Sequence, residues 1–139
     1  MNIGRYGTRD EKKMSIKRTP LDIAFSDYIR TRDKWTCRNC NAIALKGIVE
    51  IQCAHLHTRA NKGIRVDPDN AVALCKPCHC YFTFRKEEWR SWCIQHFGQA
   101  YMDKLLVKYY GRSAKLVDSE KEILRLDFVK RTKALELSD

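Results

Sequence analysis

The sequence predicts an α+β fold: one helix, a small strand-containing centre built on four cysteines, and a helical C-terminal region. Three observations predict it. Residues 21–29 carry apolar side chains at helical spacing. Residues 42–53 and 70–74 are short apolar runs separated by turn residues. From residue 86 onward, apolar stripes recur every three or four positions. A chain of 139 residues is one domain's worth. Within it, residues 1–18 read as a basic flexible arm, 19–85 as the chemical unit, and 86–139 as a helical extension packed on that unit.

The first helix is announced by Thr19-Pro20. Thr19 suits the N-cap and Pro20 the first helical position. Leu21, Ala24, Phe25, Tyr28 and Ile29 follow on one face. Arg30, Arg32 and Lys34 crowd the far end, where they suit the helix dipole or a DNA backbone. The run from Ala42 to Cys53 flanks Lys46-Gly47 and predicts a β-hairpin whose second strand delivers the chain to His55. Asn61-Lys-Gly63 and Asp67-Pro-Asp69 are turn signals, so 56–69 is a surface loop. Residues 70–74 return as an extended segment. Pro77 then sits just inside a helix that begins after Cys75 and carries Cys78, His79 and Phe82. Trp89, Trp92, Cys93 and His96 form the next stripe, ended by Gly98. Met102, Leu105, Leu106 and Tyr109 form another, ended by Gly111. A last helix spans about 117–137. These stripes read as core.

Charge narrows the partners. The net charge is +10, with 9 basic and 5 acidic residues in 1–34, 7 and 3 in 35–85, and 11 and 9 in 86–139. The excess lies in the first two segments, which favours a polyanion such as nucleic acid, or serves solubility alone. No run of about 18 apolar residues occurs, so no membrane span is expected. The N-terminus lacks the apolar stretch of a signal peptide, so a cytoplasmic protein is expected, in the host's cytoplasm if the protein is viral.

Seven cysteines, an odd count, argue against a disulfide framework. Cys37, Cys40, Cys75 and Cys78 form two Cys-x-x-Cys pairs, each beside a turn or a helix start. Two such pairs turn four thiolates toward one tetrahedral zinc ion in a closed, structural site. Cys53, Cys80 and Cys93 are left over and are expected to be buried small apolar groups.

Beside this frame stand His55, Asn70 and His79. A phosphodiester hydrolase needs a base for water, a cation near the leaving oxygen, and groups that hold the phosphate. His55 suits the base, with its other ring nitrogen held by a backbone carbonyl or by Asn70. His79, anchored by the zinc below it, suits a first ligand for a catalytic Mg²⁺ or Mn²⁺. His57 shares a face with His55 if the strand continues, and is then a further ligand; otherwise it is a solvated loop residue. Arg59 and Arg65 flank the loop as phosphate clamps or as ordinary solvated charges. The duller reading of His55 and His79 is structural. Asp67 and Asp69 read as turn-formers.

The order His55, Asn70, His79, with Asn-Ala-x-x-Leu-Cys-x-x-Cys-His around the last two, resembles the HNH endonuclease family. Tyr28-Ile-Arg-x-Arg-Asp-x-Trp-x-Cys-x-x-Cys40, His55-x-x-x-Arg59 and Arg65-x-Asp-Pro-x-Asn70 are similar to the NinG (Rap) group of phage lambda. The resemblance covers residues 25–85. It implies a ββα-metal finger, with His55 as base, His79 as metal ligand, and Asn70 supporting the active-site loop or the metal. It further implies cleavage of DNA to 5′-phosphate and 3′-hydroxyl ends, with branched recombination intermediates as substrates. One departure is Ala54, where many members carry a ligating Asp or His. A symmetric homodimer suits a four-way junction, whose two opposed strands must both be cut. The alternative is a non-catalytic, zinc-containing module that binds nucleic acid.

Overall fold

The computed structural model describes residues 18–45, 48–58, 64–111 and 116–138. The N-terminal arm up to residue 17, the Lys46-Gly47 turn, Arg59 and the Asn61-Lys-Gly63 turn lie outside the described residues. The elements are α1 (Pro20–Arg32), β1 (Ile51–His55), a 3-10 turn (Pro68–Asn70), β2 (Ala71–Cys75), α2 (Lys76–Thr83), α3 (Lys86–Phe97), α4 (Gln99–Gly111) and α5 (Asp118–Ser138). This is the expected α+β architecture, with a strand–strand–helix unit at its centre.

The start of α1 is a capping box. Thr19 accepts from the Asp22 backbone N–H, and the Asp22 carboxylate accepts from the Thr19 N–H at 2.8 Å. Two of the donors that a helix start leaves orphaned are thereby satisfied. At the other end, Arg32 donates to the carbonyls of Pro68 and Ala71, each at 2.8 Å, so it ties α1 to the second strand. Arg30 pairs with Asp27 and lies over the Trp35 ring.

β1 and β2 form a two-stranded antiparallel sheet, with Ile51 opposite Cys75 and His55 opposite Ala71. This corrects the expected hairpin. Residues 42–49 contribute only single bridges, Thr36 to Ile43 and Leu45 to Val49, and the true partner of β1 lies across the long loop. The physical reason is burial. Every residue of β2 is buried, whereas Ile43, Leu45 and Ile48 are exposed. The apolar run Ala-Val-Ala-Leu-Cys must be covered on both faces, and pairing it with β1 in the middle of the molecule achieves that.

Two cores clothe the sheet. On one side α1 brings Leu21, Phe25 and Ile29 onto Ala71, and α5 adds Phe128, whose ring meets Phe25 edge-on at 5.3 Å. On the other side Ala54, Val72 and Leu74 meet Phe82 of α2, Trp92 and Cys93 of α3, and Met102 and Leu105 of α4. The helices after residue 85 thus share a core with the strands. Gly98 ends α3 at φ +92°, a left-handed conformation that glycine adopts without penalty. Among the described residues no helix is long and apolar enough to cross a membrane.

Candidate functional site

The sulfurs come together first. Cys37 and Cys40 lie on the loop after α1. Cys75 caps α2 and Cys78 lies in its first turn. Their four sulfurs all lie within 4.8 Å of one another, with 3.7 Å between those of Cys40 and Cys75. A tetrahedral zinc with ~2.3 Å bonds sets its sulfurs about 3.8 Å apart, so the donor set fits that ion. The surroundings fit it too. The Cys40 N–H donates to the Cys37 sulfur, and the Asn39 amide donates to the Cys78 sulfur at 3.3 Å. Trp92 in turn donates to Asn39 at 3.0 Å and holds it in place. Burial opposes ionisation of Cys37, but N–H groups of Cys40, Cys75 and Asn39 outweigh it and bring the thiol down to about 7. Burial raises Cys78, and it pushes Cys75 up to about 12, with the neighbouring thiols adding to that rise. Four thiolates at this spacing need a cation among them. Among the described residues this is the only set of three or more clustered metal-ligating side chains.

The remaining cysteines divide. Cys93 is fully buried, and burial pushes its thiol up to about 12. Cys53 is half-buried. Cys80 is exposed, contrary to the expectation of a buried apolar group, because it lies on the outer side of α2.

The histidines approach from two elements. His55 ends β1 and His79 lies on α2, and both line a cleft of about 650 Å³ between the sheet and α3–α4. Both also line a second, smaller cavity on the α1 side, with Arg18 and Arg30. His55 and His79 therefore line both cavities. His55 Nε2 lies 2.9 Å from the Arg65 carbonyl oxygen. A carbonyl only accepts, so Nε2 carries the proton and Nδ1 the lone pair. Of the two expected orienting partners for His55, the structure supplies the backbone carbonyl. His79 Nδ1 lies 2.7 Å from the Gln52 side-chain oxygen and by the same reasoning donates to it. Burial holds His79 below the ordinary histidine range, which keeps its Nε2 unprotonated and suited to a cation.

Other candidates are placed differently. Asn70 is fully buried. Its amide oxygen accepts from the His57 N–H at 2.8 Å, and its nitrogen donates to the carbonyls of His57 and Ile64. It staples the loop after β1 and does not present its amide as a metal ligand. β1 ends at His55, so strand alternation does not reach His57, whose ring bonds the Met102 carbonyl at 3.0 Å. The strand does not continue to carry His57 onto the His55 face, although His57 lines the same cleft. The Arg65 guanidinium grips Asp22, with Nε 2.9 Å from the carboxylate, so its side chain braces α1 instead of flanking the cleft as a phosphate clamp. Arg59 lies outside the described residues. Asp67 caps the 3-10 turn and pairs with Lys108, in keeping with a turn role.

Sequence reading missed several neighbours. Gln52 holds His79. The Trp89 indole donates to the His55 carbonyl at 3.2 Å. Phe25 packs its ring 5.8 Å from that of His55. Lys86 and Arg90 of α3 line the cleft. Alternation along β1 places Gln52 and His55 on opposite faces, so only the packed helix reveals that Gln52 reaches His79.

The fold is that of a small α+β protein with a four-cysteine cluster whose spacing suits zinc. Comparison with curated proteins adds one relation. The chain is similar to the probable HNH endonuclease of Lactococcus phage SK1, with 40% identity over 62 residues, a stretch that is 41% of this chain and 63% of the relative. The match thus spans less than two thirds of that relative's length. No family model matches the chain, and no solved structure matches it significantly.

Proposed function

We propose that the chain is a metal-dependent endonuclease of the HNH type, hydrolysing phosphodiester bonds in DNA. One observation carries the reading: His55 and His79, from different elements, line one cleft beside a zinc-suited cysteine frame. The similarity to a probable HNH endonuclease supports it. Branched recombination intermediates are the substrates we favour, and 19–85 is the nuclease unit, with 86–139 bracing it.

In this mechanism His55 is the general base. Its Nε2 proton is held by the Arg65 carbonyl, so Nδ1 takes the proton of the attacking water. Asn70 fixes the loop that carries Arg65 by holding Ile64, and so positions that carbonyl. His79 Nε2, kept unprotonated by burial and by Gln52, would hold a Mg²⁺ or Mn²⁺ together with water and phosphate oxygens. Such an ion supplies positive charge for the departing 3′ oxygen. The four cysteines would hold zinc, which would keep the start of α2, and hence His79, rigid.

The test is cleavage of linear duplex, four-way-junction and single-stranded DNA with Mg²⁺, with Mn²⁺ and with no added divalent ion. Wild type is expected to cut only with the ion. His55→Ala and His79→Ala are expected to lose at least a hundredfold in rate, the usual scale for a lost general base, with the circular-dichroism spectrum and zinc content unchanged. Full activity in folded His55→Ala would overturn the assignment of the base. No cutting of any DNA, with binding retained, would leave a zinc-containing binding module instead.

A further inference from the structure

α3 begins with two cations that local structure does not explain. Lys86 and Arg90 lie four residues apart, so they share one helix face. Both are exposed, and both line the cleft that holds His55 and His79. Neither has an acidic partner among the described residues. Like charges at this spacing repel. Lys86 also occupies the first turn, where the helix dipole disfavours a cation. Glu87 lies one turn before Arg90 but forms no ion pair with it among the described residues, and Glu88 accepts from the Tyr81 hydroxyl at 2.5 Å. Among the described residues Asp103 is the one acid lining the cleft, and it already accepts from Gln99 at 2.8 Å. An arrangement that costs helix stability on the wall of a cleft suits an anion brought from outside.

The opposite side also carries cations. The second cavity shares His55 and His79 with the first and is lined by Arg18 and Arg30. Arg30 Nε is buried with no hydrogen-bond partner, while the outer nitrogen of the same guanidinium pairs with Asp27. The acids on that wall are paired: Asp22 with Arg65, and Glu50 with Lys76. Cations therefore line both of the cavities that His55 and His79 share.

We infer that Lys86 and Arg90 are the phosphate-holding pair on the α3 side of the site. A nucleic-acid strand would cross the two histidines, its backbone held by Lys86 and Arg90 on one side and by Arg18 and Arg30 on the other. This rests on the nuclease reading for its purpose, since the strand so held presents a phosphodiester to His55. The ligand class is the phosphodiester backbone of DNA, contacted by charge and not by base edges, so the pair adds affinity without sequence preference.

The experiment measures binding apart from cutting. Fluorescence anisotropy of a labelled duplex oligonucleotide is followed from about 50 to 300 mM salt with no added divalent ion. The double variant Lys86→Ala/Arg90→Ala should bind about tenfold more weakly or worse, and its log–log salt slope should be shallower by about 1.8, since each lost phosphate contact removes ~0.9. The charge-keeping pair Lys86→Arg/Arg90→Lys should stay within about twofold of wild type, as backbone contacts need charge above shape. Lys130→Ala/Lys133→Ala, on α5 and away from the cleft, should leave the slope unchanged. With a divalent ion added, Lys86→Ala/Arg90→Ala should raise KM and leave kcat nearly intact. An unchanged slope in the alanine pair, or equal loss in the charge-keeping pair, overturns the assignment. Failure of wild type to cut, with the slope change present, overturns the nuclease reading and leaves the phosphate pair standing. Failure of wild type to bind DNA overturns both.

Discussion

Asn70 shows how one side chain can look catalytic in sequence and prove to be a staple. Its place between His55 and His79 was legible, and so was its link to the loop. Its three backbone partners, in a site with no solvent, were not, because they lie six and thirteen residues away. Each of those groups is stranded if the amide is removed, and a buried unpaired polar group costs ~1–3 kcal/mol. Asn70→Ala is therefore expected to destabilise the zinc-loaded protein by about 3 kcal/mol in urea unfolding. Asn70→Asp keeps the acceptor for the His57 N–H but loses both donors and buries a charge. It should be at least as damaging, and a loss below about 1 kcal/mol in either variant would contradict the staple. His55 and His79 were legible as a pair by residue type and order. Their tautomers were not, because these depend on the Arg65 carbonyl and on Gln52.

At the scale of elements, Thr19-Pro20 marked the start of α1 correctly because capping is local chemistry. The added role of Asp22 is tertiary: its carboxylate caps the helix and also receives Arg65, which lies 43 residues away. Burial alone would raise its pKa, but the bonds from Arg65 and Thr19 prevail and hold it below the ordinary carboxylate range. The sign follows from linkage. A depressed carboxylate stabilises the fold fully above its unfolded value, and that contribution is lost as pH falls through the folded value. Asp22→Asn should thus cost about 1–2 kcal/mol. The difference from wild type should stay constant from pH 8 to pH 5 in urea titrations and shrink only below about pH 4. The strands were harder to read. Residues 42–53 carry the alternation of a hairpin, yet β1 pairs with the buried run 71–75, because covering a wholly apolar strand outweighs a short local turn.

For the whole molecule, two devices compensate for a small sheet. The first is the four-cysteine frame, which joins the loop after α1 to the start of α2. Zinc in such a site contributes on the order of 10 kcal/mol, comparable to the total stability of a domain. Elemental analysis should find one zinc per chain. A thiol-competent chelator, or Cys75→Ser, should abolish cooperative thermal unfolding; a sharp transition persisting in metal-free protein would count against the frame. The second device is α5 laid on α1. Phe128 is 2% exposed and contacts Phe25 and Tyr28, with Arg131 stacked 4.6 Å over Tyr28. Phe128→Ala should destabilise by about 3–5 kcal/mol, as read from the urea midpoint at constant slope.

By itself the sequence determined the order of the helices, the helix starts at Thr19 and Cys75, the glycine stop at Gly98, and the two cysteine knuckles. All of these depend on residues within one turn of each other, where capping, backbone freedom and ligand spacing operate. Only the tertiary structure decided which strands pair, that Arg65 faces Asp22 and not the cleft, that His57 turns to Met102, and that Lys86 and Arg90 stand beside the histidines. Those outcomes join residues many positions apart. They are set by how apolar faces are covered in space, which no local pattern encodes.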